Sequence, residues 1–168
     1  MRFIPRFLAV TLTLLGCVGC DQLSKSAARA CLASGVSESF FGDSLRLQLV
    51  ENPGSFLSLG AALPEHVRFT LFTAAVAVLL LCLVSAALFA GRLGFWRFIA
   101  LALLAGGGIG NWIDRLIYGG RVTDFLNVGI GSFRSGIFNL ADMAILCGAL
   151  LLVLKSAMPR SRSNPQQS

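Results

Sequence analysis

Three of the eight acidic residues in this 168-residue chain lie close together, each at the edge of an apolar segment: Asp114 in GNWIDR, Asp124 in VTDF and Asp142 in FNLAD. A carboxylate costs about 2.5–3.5 kcal/mol at the centre of a spanning helix, so acids in such segments usually have a task. Two carboxylates that share a site do not both ionise easily, and one can activate water while the other protonates a carbonyl. Asp124 and Asp142 therefore indicate aspartic-protease chemistry, with a proton or cation relay in a transporter as the alternative.

A second polar group lies on the apolar segment that ends near Asp114. Gly106, Gly110 and Asp114 are four positions apart and form one stripe of a helix, where small residues let a neighbouring helix approach closely. Asn111 and Arg115 lie beside that stripe and should face inward with it. We expect Asp114 and Arg115 to satisfy each other and to hold the helix ends together.

A further acid and base lie near the N-terminus, in the string DQLSK. Asp21 and Lys25 are spaced i,i+4 with the acid first, which is the favourable order on a helix. We expect this pair to have a structural role. Asp21 or Asn111 could also complete the polar group around Asp114 and Arg115.

The composition is that of a membrane protein. The mean hydropathy is +0.76, 55% of the residues are hydrophobic and only 13% are charged. The net charge of +6 does not indicate nucleic-acid binding, because no basic run exceeds the RSR of the tail. The five cysteines lie mostly in apolar segments and His66 is the only histidine, so we expect no disulfide framework, no metal site and no cofactor.

Four segments are predicted to be transmembrane helices, at about 7–33, 67–90, 95–118 and 138–157. The first also has the pattern of a bacterial lipoprotein signal peptide, with a basic start, a short apolar core and LLGC ending at Cys17. A lipoprotein anchored through Cys17 is therefore a second alternative. The helical pattern continues beyond Cys20, which favours a retained helix.

The segments between the helices predict little further structure. SLRLQLV alternates apolar and polar residues and predicts a half-buried strand within a small β element at about 40–60. The Gly-rich segment 119–137 predicts a mobile outer loop, and 158–168 a polar cytoplasmic tail. The fold class expected is an all-α membrane protein with four transmembrane helices and a small extracytoplasmic β element between the first two, in one domain over 1–157.

The charges predict the orientation of the helices. The basic residues of the N-terminus, the 91–94 turn with its flanks, and the C-terminal tail stand apart from all acids: Arg2, Arg6, Arg92, Arg97, Lys155, Arg160 and Arg162. The positive-inside rule then places both termini in the cytoplasm and the eight acidic residues at the outer side.

Together these residues resemble the lipoprotein signal peptidase (signal peptidase II) family, bacterial membrane aspartic proteases. DQLSK, NPG, GNWIDR, VTDF and FNLAD are similar to that family's motifs, in the same order and over nearly the whole chain. After NPG the chain departs from the family's usual two small residues and an aromatic, since Ser55 is followed by Phe56 and Leu57. The resemblance implies that Asp124 and Asp142 form a catalytic dyad.

The resemblance also implies the roles of other residues and the substrate. Residues matching family positions that line or order the site are Asn52, Gly54, Asn111, Arg115 and Asn139, and those matching its supporting polar set are Asp21, Lys25 and Asp114. The implied reaction is removal of the signal peptide from a diacylglyceryl-modified prolipoprotein, just before the lipidated cysteine, at the outer surface of the inner membrane. Membrane lipids and inhibitory cyclic peptide antibiotics are implied partners. We expect a monomer.

Overall fold

The computed structural model of the chain describes residues 3–54, 62–90 and 93–157. Within them, four helices are long and apolar enough to cross a membrane, which confirms the four predicted helices. Their bounds are α1 Phe3–Cys31, α2 Glu65–Phe89, α3 Phe95–Ile117 and α4 Leu140–Ala157. The departure at residues 55–57 and the tail at 158–168 lie outside the described residues.

Helix α3 is the centre of the bundle, because each of the other three helices packs more extensively against it than against any other helix. Its glycines make the close approach possible. A Cβ on Gly106 would lie 2.7 Å from the Cβ of Cys17 on α1, and a Cβ on Gly107 would collide with the carbonyl of Ala141 on α4. The predicted small-residue stripe is thus a helix contact. Cys17 is part of that contact, inside a continuous helix that extends to Cys31.

Basic side chains bind helix C-termini at the end of the bundle opposite the acids. Arg6 donates from Nε to the carbonyl of Ala87 at 2.7 Å and from Nη1 to that of Ala90 at 2.9 Å, where α2 ends. Arg97 donates to the carbonyl of Lys155 at 3.3 Å, in the last turn of α4. A cation stabilises a helix C-terminus because the last carbonyls there are unpaired and carry partial negative charge.

A four-stranded antiparallel sheet lies at the acidic end of the bundle, in the order β1-β2-β3-β4. Its strands are β1 Ser37–Phe40, β2 Leu45–Asn52, β3 Val122–Ile130 and β4 Phe133–Arg134. Strand β2 confirms the strand predicted from SLRLQLV. The all-α class was wrong, because half of the sheet comes from the segment between α3 and α4.

That segment was predicted to be a mobile loop and is instead a strand hairpin paired with β2. Its glycines mark the turns. Gly119 and Gly120, with φ of 60° and 84°, turn the chain out of α3, and Gly131, with φ of 58°, turns it from β3 to β4. The glycine count suggested flexibility, whereas the apolar and β-branched residues between the turns form the strand.

Candidate active site

Asp124 lies in the third position of β3, close to the end of α3. It is 3% exposed. Its two carboxylate oxygens accept separate hydrogen bonds, Oδ2 from Asn52 Nδ2 at 2.9 Å and Oδ1 from Asn139 Nδ2 at 2.6 Å. A bulge in β2 sets this register, since Leu47 lies opposite Leu126 but Val50 lies opposite Asp124.

The Asn-Pro-Gly string has a physical explanation at this site. The backbone N–H of Gly54 donates to Oδ1 of Asn52 at 2.9 Å, which closes a turn of the side chain onto its own backbone. Because the amide oxygen of Asn52 is occupied in this way, its Nδ2 is directed to Asp124. The turn therefore fixes the orientation of the Asn52 amide, with its nitrogen toward Asp124.

The pKa of Asp124 is raised from its ordinary value of 3.8 to about 6. Burial is the main cause, because an ionised carboxylate loses its hydration there. The hydrogen bond from Asn52 lowers the pKa, the neighbouring charge of Asp142 raises it, and the hydrogen bond from Asn139 lowers it. Asp124 can therefore exchange a proton near neutral pH.

Asp142 lies in the first turn of α4, where it forms a reciprocal cap with Asn139. Its backbone N–H donates to Oδ1 of Asn139 at 3.0 Å, and its Oδ2 accepts from the backbone N–H of Asn139 at 3.2 Å. This capping box satisfies two N–H groups that the helix itself leaves unpaired. The second oxygen, Oδ1, accepts from Asn111 Nδ2 at 2.8 Å.

Asn139 brings the two carboxylates together. Its amide nitrogen binds Asp124 and its backbone N–H binds Asp142. The residue is fully buried, and its Nδ2 also lies 3.1 Å from Oδ1 of Asn111. The start of α4 and the start of β3 are thus joined through one side chain, with the carboxylates on either side of it.

Lys25 is the centre of a buried polar cluster behind Asp142. Its Nζ lies 2.7 Å from Asp21 Oδ2, 3.2 Å from Asp114 Oδ2 and 2.9 Å from Asn111 Oδ1. The side chains of Lys25, Asp21 and Asp114 are all 0% exposed. Because Lys25 donates to the oxygen of Asn111, the amide nitrogen of Asn111 is turned to Asp142.

The predicted pairing of Asp114 with Arg115 is wrong. Asp114 binds Lys25, and its Oδ2 also accepts from the backbone N–H of Thr123 at 2.9 Å, which anchors the start of β3. Arg115 donates instead to the carbonyl of Gly54 at 3.0 Å. Successive helical residues point about 100° apart, so the two side chains face different neighbours.

Asp21 has a second contact that the sequence did not suggest. Its Oδ1 accepts from the backbone N–H of Ala141 at 3.0 Å, in the first turn of α4. A carboxylate is favourable at that place because the first N–H groups of a helix are unpaired and carry partial positive charge. Asp21 on α1 therefore anchors the first turn of α4 at Ala141, the residue before Asp142.

Two polar contacts involve residues that the sequence analysis did not select. Gln22 donates from Nε2 to Asp114 Oδ1 at 2.9 Å, and Arg29 donates to Oγ1 of Thr123 at 2.6 Å. Gln22 and Thr123 lie within DQLSK and VTDF, so the motifs themselves marked them. Arg29 had no such signal.

Trp112 is a further residue that the sequence did not indicate. Its Nε1 donates to the carbonyl of Thr73 at 2.9 Å, in a π-helical stretch of α2 at Thr70–Ala75. Such stretches are rare in helices and are often found at functional sites. Phe72 in the same stretch lies on the wall of the cavity described next.

An apolar cavity of about 420 Å³ extends from the two carboxylates between α2, α3 and α4. Asp124 and Asp142 line it together with Asn52, Asn111 and Arg115. Its other lining side chains are mostly aliphatic, and they include Leu83 and Ala149. From Asp142 to Ala149 the helix rises about 10 Å, so the cavity runs along the bundle. A site of this kind suits an apolar ligand held beside a polar reactive group.

Comparisons with known proteins agree on one family. Residues 13–158 match the family model described as signal peptidase (SPase) II. The lipoprotein signal peptidase of Paraburkholderia phymatum is 41% identical over 138 residues, covering 79% of this chain and 78% of the relative. That of Janthinobacterium sp. is 40% identical over 139 residues, with the same coverage of 79% and 78%.

Two solved structures described as bacterial membrane enzymes have the same fold. One has a TM-score of 0.79 at 24% identity and covers 95% of this chain and 94% of its own. The other has a TM-score of 0.76 at 25% identity and covers 89% of this chain and 92% of its own.

Proposed function

Because the chain belongs to the signal peptidase II family, we propose that it is an aspartic endopeptidase acting on diacylglyceryl-modified prolipoproteins. It removes the signal peptide by cutting just before the lipidated cysteine. One observation supports the aspartic mechanism: Asp124 and Asp142 both accept hydrogen bonds from Asn139, at one end of an apolar cavity. Four apolar helices and the family make the protein a multi-pass bacterial membrane protein.

The two carboxylates divide the acid and base work of peptide hydrolysis. One takes a proton from water, and the resulting hydroxide attacks the scissile carbonyl while the protonated partner donates to the carbonyl oxygen. When the tetrahedral intermediate collapses, the C–N bond breaks, the leaving amine of the lipidated cysteine takes the proton that the first carboxylate removed from water, and a hydroxyl of the intermediate returns its proton to the other carboxylate. The raised pKa of Asp124, about 6, supports this exchange. The pair titrates together, so the roles belong to the dyad.

Three asparagines orient the dyad. Asn52 and Asn139 donate to Asp124, and Asn111 donates to Asp142. Each amide is held by a further hydrogen bond, which keeps its donor side turned to a carboxylate. Behind them lies the supporting cluster of Asp21, Lys25 and Asp114. We propose that Asp21, Lys25 and Asp114 position the dyad from behind and do not contact the substrate, whereas Asn52 and Asn111 also line the cavity.

The cavity is proposed to hold the lipid-bearing part of the substrate. Its aliphatic walls fit acyl chains, and Arg115, linked to the carbonyl of Gly54, provides a cation beside the scissile bond. Cyclic peptide antibiotics would inhibit by occupying the same space next to the dyad. Surrounding membrane lipids contact the exposed apolar faces of the helices.

We propose that both termini are cytoplasmic and that the sheet and the dyad lie at the outer surface of the inner membrane. The end of the bundle that carries Arg6 and Arg97 holds basic residues and none of the eight acids, which supports this orientation. Residues 1–157 would form one peptidase domain, followed by the polar tail 158–168. We expect it to act as a monomer.

The test is cleavage of a diacylglyceryl prolipopeptide by purified Asp124→Asn and Asp142→Asn variants. Each should lose at least about 100-fold in kcat, because an amide cannot transfer the proton. Asp43→Asn is the matched control, since this carboxylate pairs with Arg46 on the sheet and is absent from the cavity lining.

The aspartic mechanism would be refuted if either dyad variant cut at a near wild-type rate. The transporter alternative predicts loss of transport with prolipoprotein processing unchanged. The lipid-anchor alternative predicts a shortened, acylated chain beginning at Cys17 on mass spectrometry.

A further inference from the structure

A second cavity adjoins the site at Arg115 and has no role in the proposal above. It measures about 180 Å³ and is lined by Pro53, Glu65, Arg68, Arg115, Gly119 and Gly120, among others. Arg115 also lines the apolar cavity that holds both carboxylates. One buried guanidinium, 8% exposed, therefore borders both spaces.

The two cavities lie at different levels of the bundle. The second is built where elements begin or end: Pro53 follows β2, Glu65 begins α2, and Gly119 follows α3. The apolar cavity instead runs along the helices as far as Leu83 and Ala149. A peptide with its lipid in the apolar cavity would leave the bundle past these element ends.

The second cavity is charged where the first is apolar. Among the described lining residues, Arg68 and Arg115 contribute two cations and Glu65 one carboxylate. The Nε of Arg115 is buried and has no hydrogen-bond partner among the described residues. Gly119 and Gly120 bring backbone without side chains to the lining. This chemistry favours an acidic or neutral polar group and disfavours a further cation.

We propose that this cavity binds the side chain of the residue that follows the lipidated cysteine, and that Arg68 makes it prefer an acidic side chain there to a basic one. The proposal rests on the proposed function, because it needs a substrate cut at the dyad. Adjacent residues of an extended chain are about 3.3–3.6 Å apart, so the residue after the cysteine lies one step beyond the scissile bond. Because Arg115 lines both cavities, the second cavity adjoins the one that holds the dyad and is placed to receive that residue.

The experiment uses three diacylglyceryl prolipopeptides that differ only at this residue, which is Glu, Ser or Lys. Wild-type enzyme, Arg68→Gln and Arg68→Glu are compared by kcat/KM at fixed ionic strength. Wild type should cleave the Glu peptide about tenfold better than the Lys peptide. Arg68→Gln should reduce that ratio, and Arg68→Glu should invert it. The Ser peptide should change by less than about twofold.

Arg121→Glu is the matched control. Arg121 is a 58% exposed cation that pairs with Glu51 and is absent from the cavity lining, so its reversal should leave the ratio unchanged. An equal effect of Arg121→Glu and Arg68→Glu would mean general surface electrostatics and would overturn the subsite.

The remaining outcomes separate this subsite from the proposed function. If both Arg68 variants cut the Ser peptide normally with an unchanged Glu-to-Lys ratio, the subsite fails and the peptidase stands. If wild type cuts none of the peptides, the proposed function itself fails. Should Arg68→Glu not fold, the ratio in Arg68→Gln decides.

Discussion

Replacing Asp124 by Asn should shift the stability of the folded protein in the variant's favour, relative to wild type, as the pH rises. The pKa of this carboxyl is raised from 3.8 to about 6, mainly by burial. Well below pH 3.8 the group is protonated in both the folded and unfolded states and has no linkage effect. Well above pH 6 it is ionised in both, and the folded state carries the penalty. A difference of about 2 pKa units corresponds to about 3 kcal/mol.

The substitution also has an effect that does not depend on pH. Asn52 and Asn139 both donate to Asp124, whereas an asparagine there offers one acceptor oxygen. One buried donor is left unpaired, which costs about 1–3 kcal/mol. At neutral pH the two effects oppose each other, so a single measurement is ambiguous. The change between pH 4 and pH 8 separates the ionisation of the dyad from this constant cost, since Asp142 titrates together with Asp124.

The assay is reversible unfolding of detergent-solubilised wild type and Asp124→Asn at pH 4 and pH 8. The variant should gain about 2 kcal/mol relative to wild type between these values, because part of the linkage lies below pH 4. Asp43→Asn should not show this gain, because hydrogen bonds from Arg46 and Ser39 hold the pKa of Asp43 well below its usual range. Its variant should be less stable than wild type at pH 8 and at pH 4 by nearly the same amount, with the gap closing only below about pH 4. Parallel pH curves for wild type and Asp124→Asn would refute the burial argument.

Three further changes test the framework of the site by unfolding in detergent. Lys25→Met should destabilise by about 3–5 kcal/mol, since it leaves Asp21 charged in a dry cluster, and an unchanged midpoint would contradict the buried ion pair. Gly110→Ala should destabilise by about 1–3 kcal/mol, because its Cβ would lie 2.6 Å from Asp21 Oδ2. An unchanged unfolding midpoint for this variant would show that Asp21 is not held in place. Trp112→Phe should destabilise by about 1 kcal/mol, because it loses the hydrogen bond to the Thr73 carbonyl. Thr73→Val should be neutral, because the Thr73 hydroxyl has no hydrogen-bond partner among the described residues. Equal losses in the two variants would contradict the assignment of the Trp112 hydrogen bond to the backbone of Thr73.

The sequence supported much of this picture, and each success has a local cause. Helices that cross a membrane need long apolar runs, so their number could be counted directly. The alternation in SLRLQLV predicted β2, because successive side chains of a strand face opposite sides. The stripe of Gly106 and Gly110 predicted a close helix contact from spacing alone.

The failures involve partners that are distant in sequence. Strand β3 was taken for a loop, because its hydrogen bonds go to β2, more than 70 residues earlier in the chain. Asp114 and Arg115 were paired because they are adjacent, yet helix geometry turns one to Lys25 and the other to Gly54. Composition could not reveal that Asp21 would cap α4.

By itself, then, the sequence determined a four-helix membrane chain with its acids at one end and, through five short motifs, its family. Only the tertiary structure decided how the carboxylates are held. Asn139, at the start of α4, binds Asp124 through its side chain and Asp142 through its backbone. The pKa of Asp124 depends on burial by elements that meet only in the folded protein. Local pattern fixes which segments enter the membrane, whereas the environment of a carboxylate depends on packing between segments far apart in the chain.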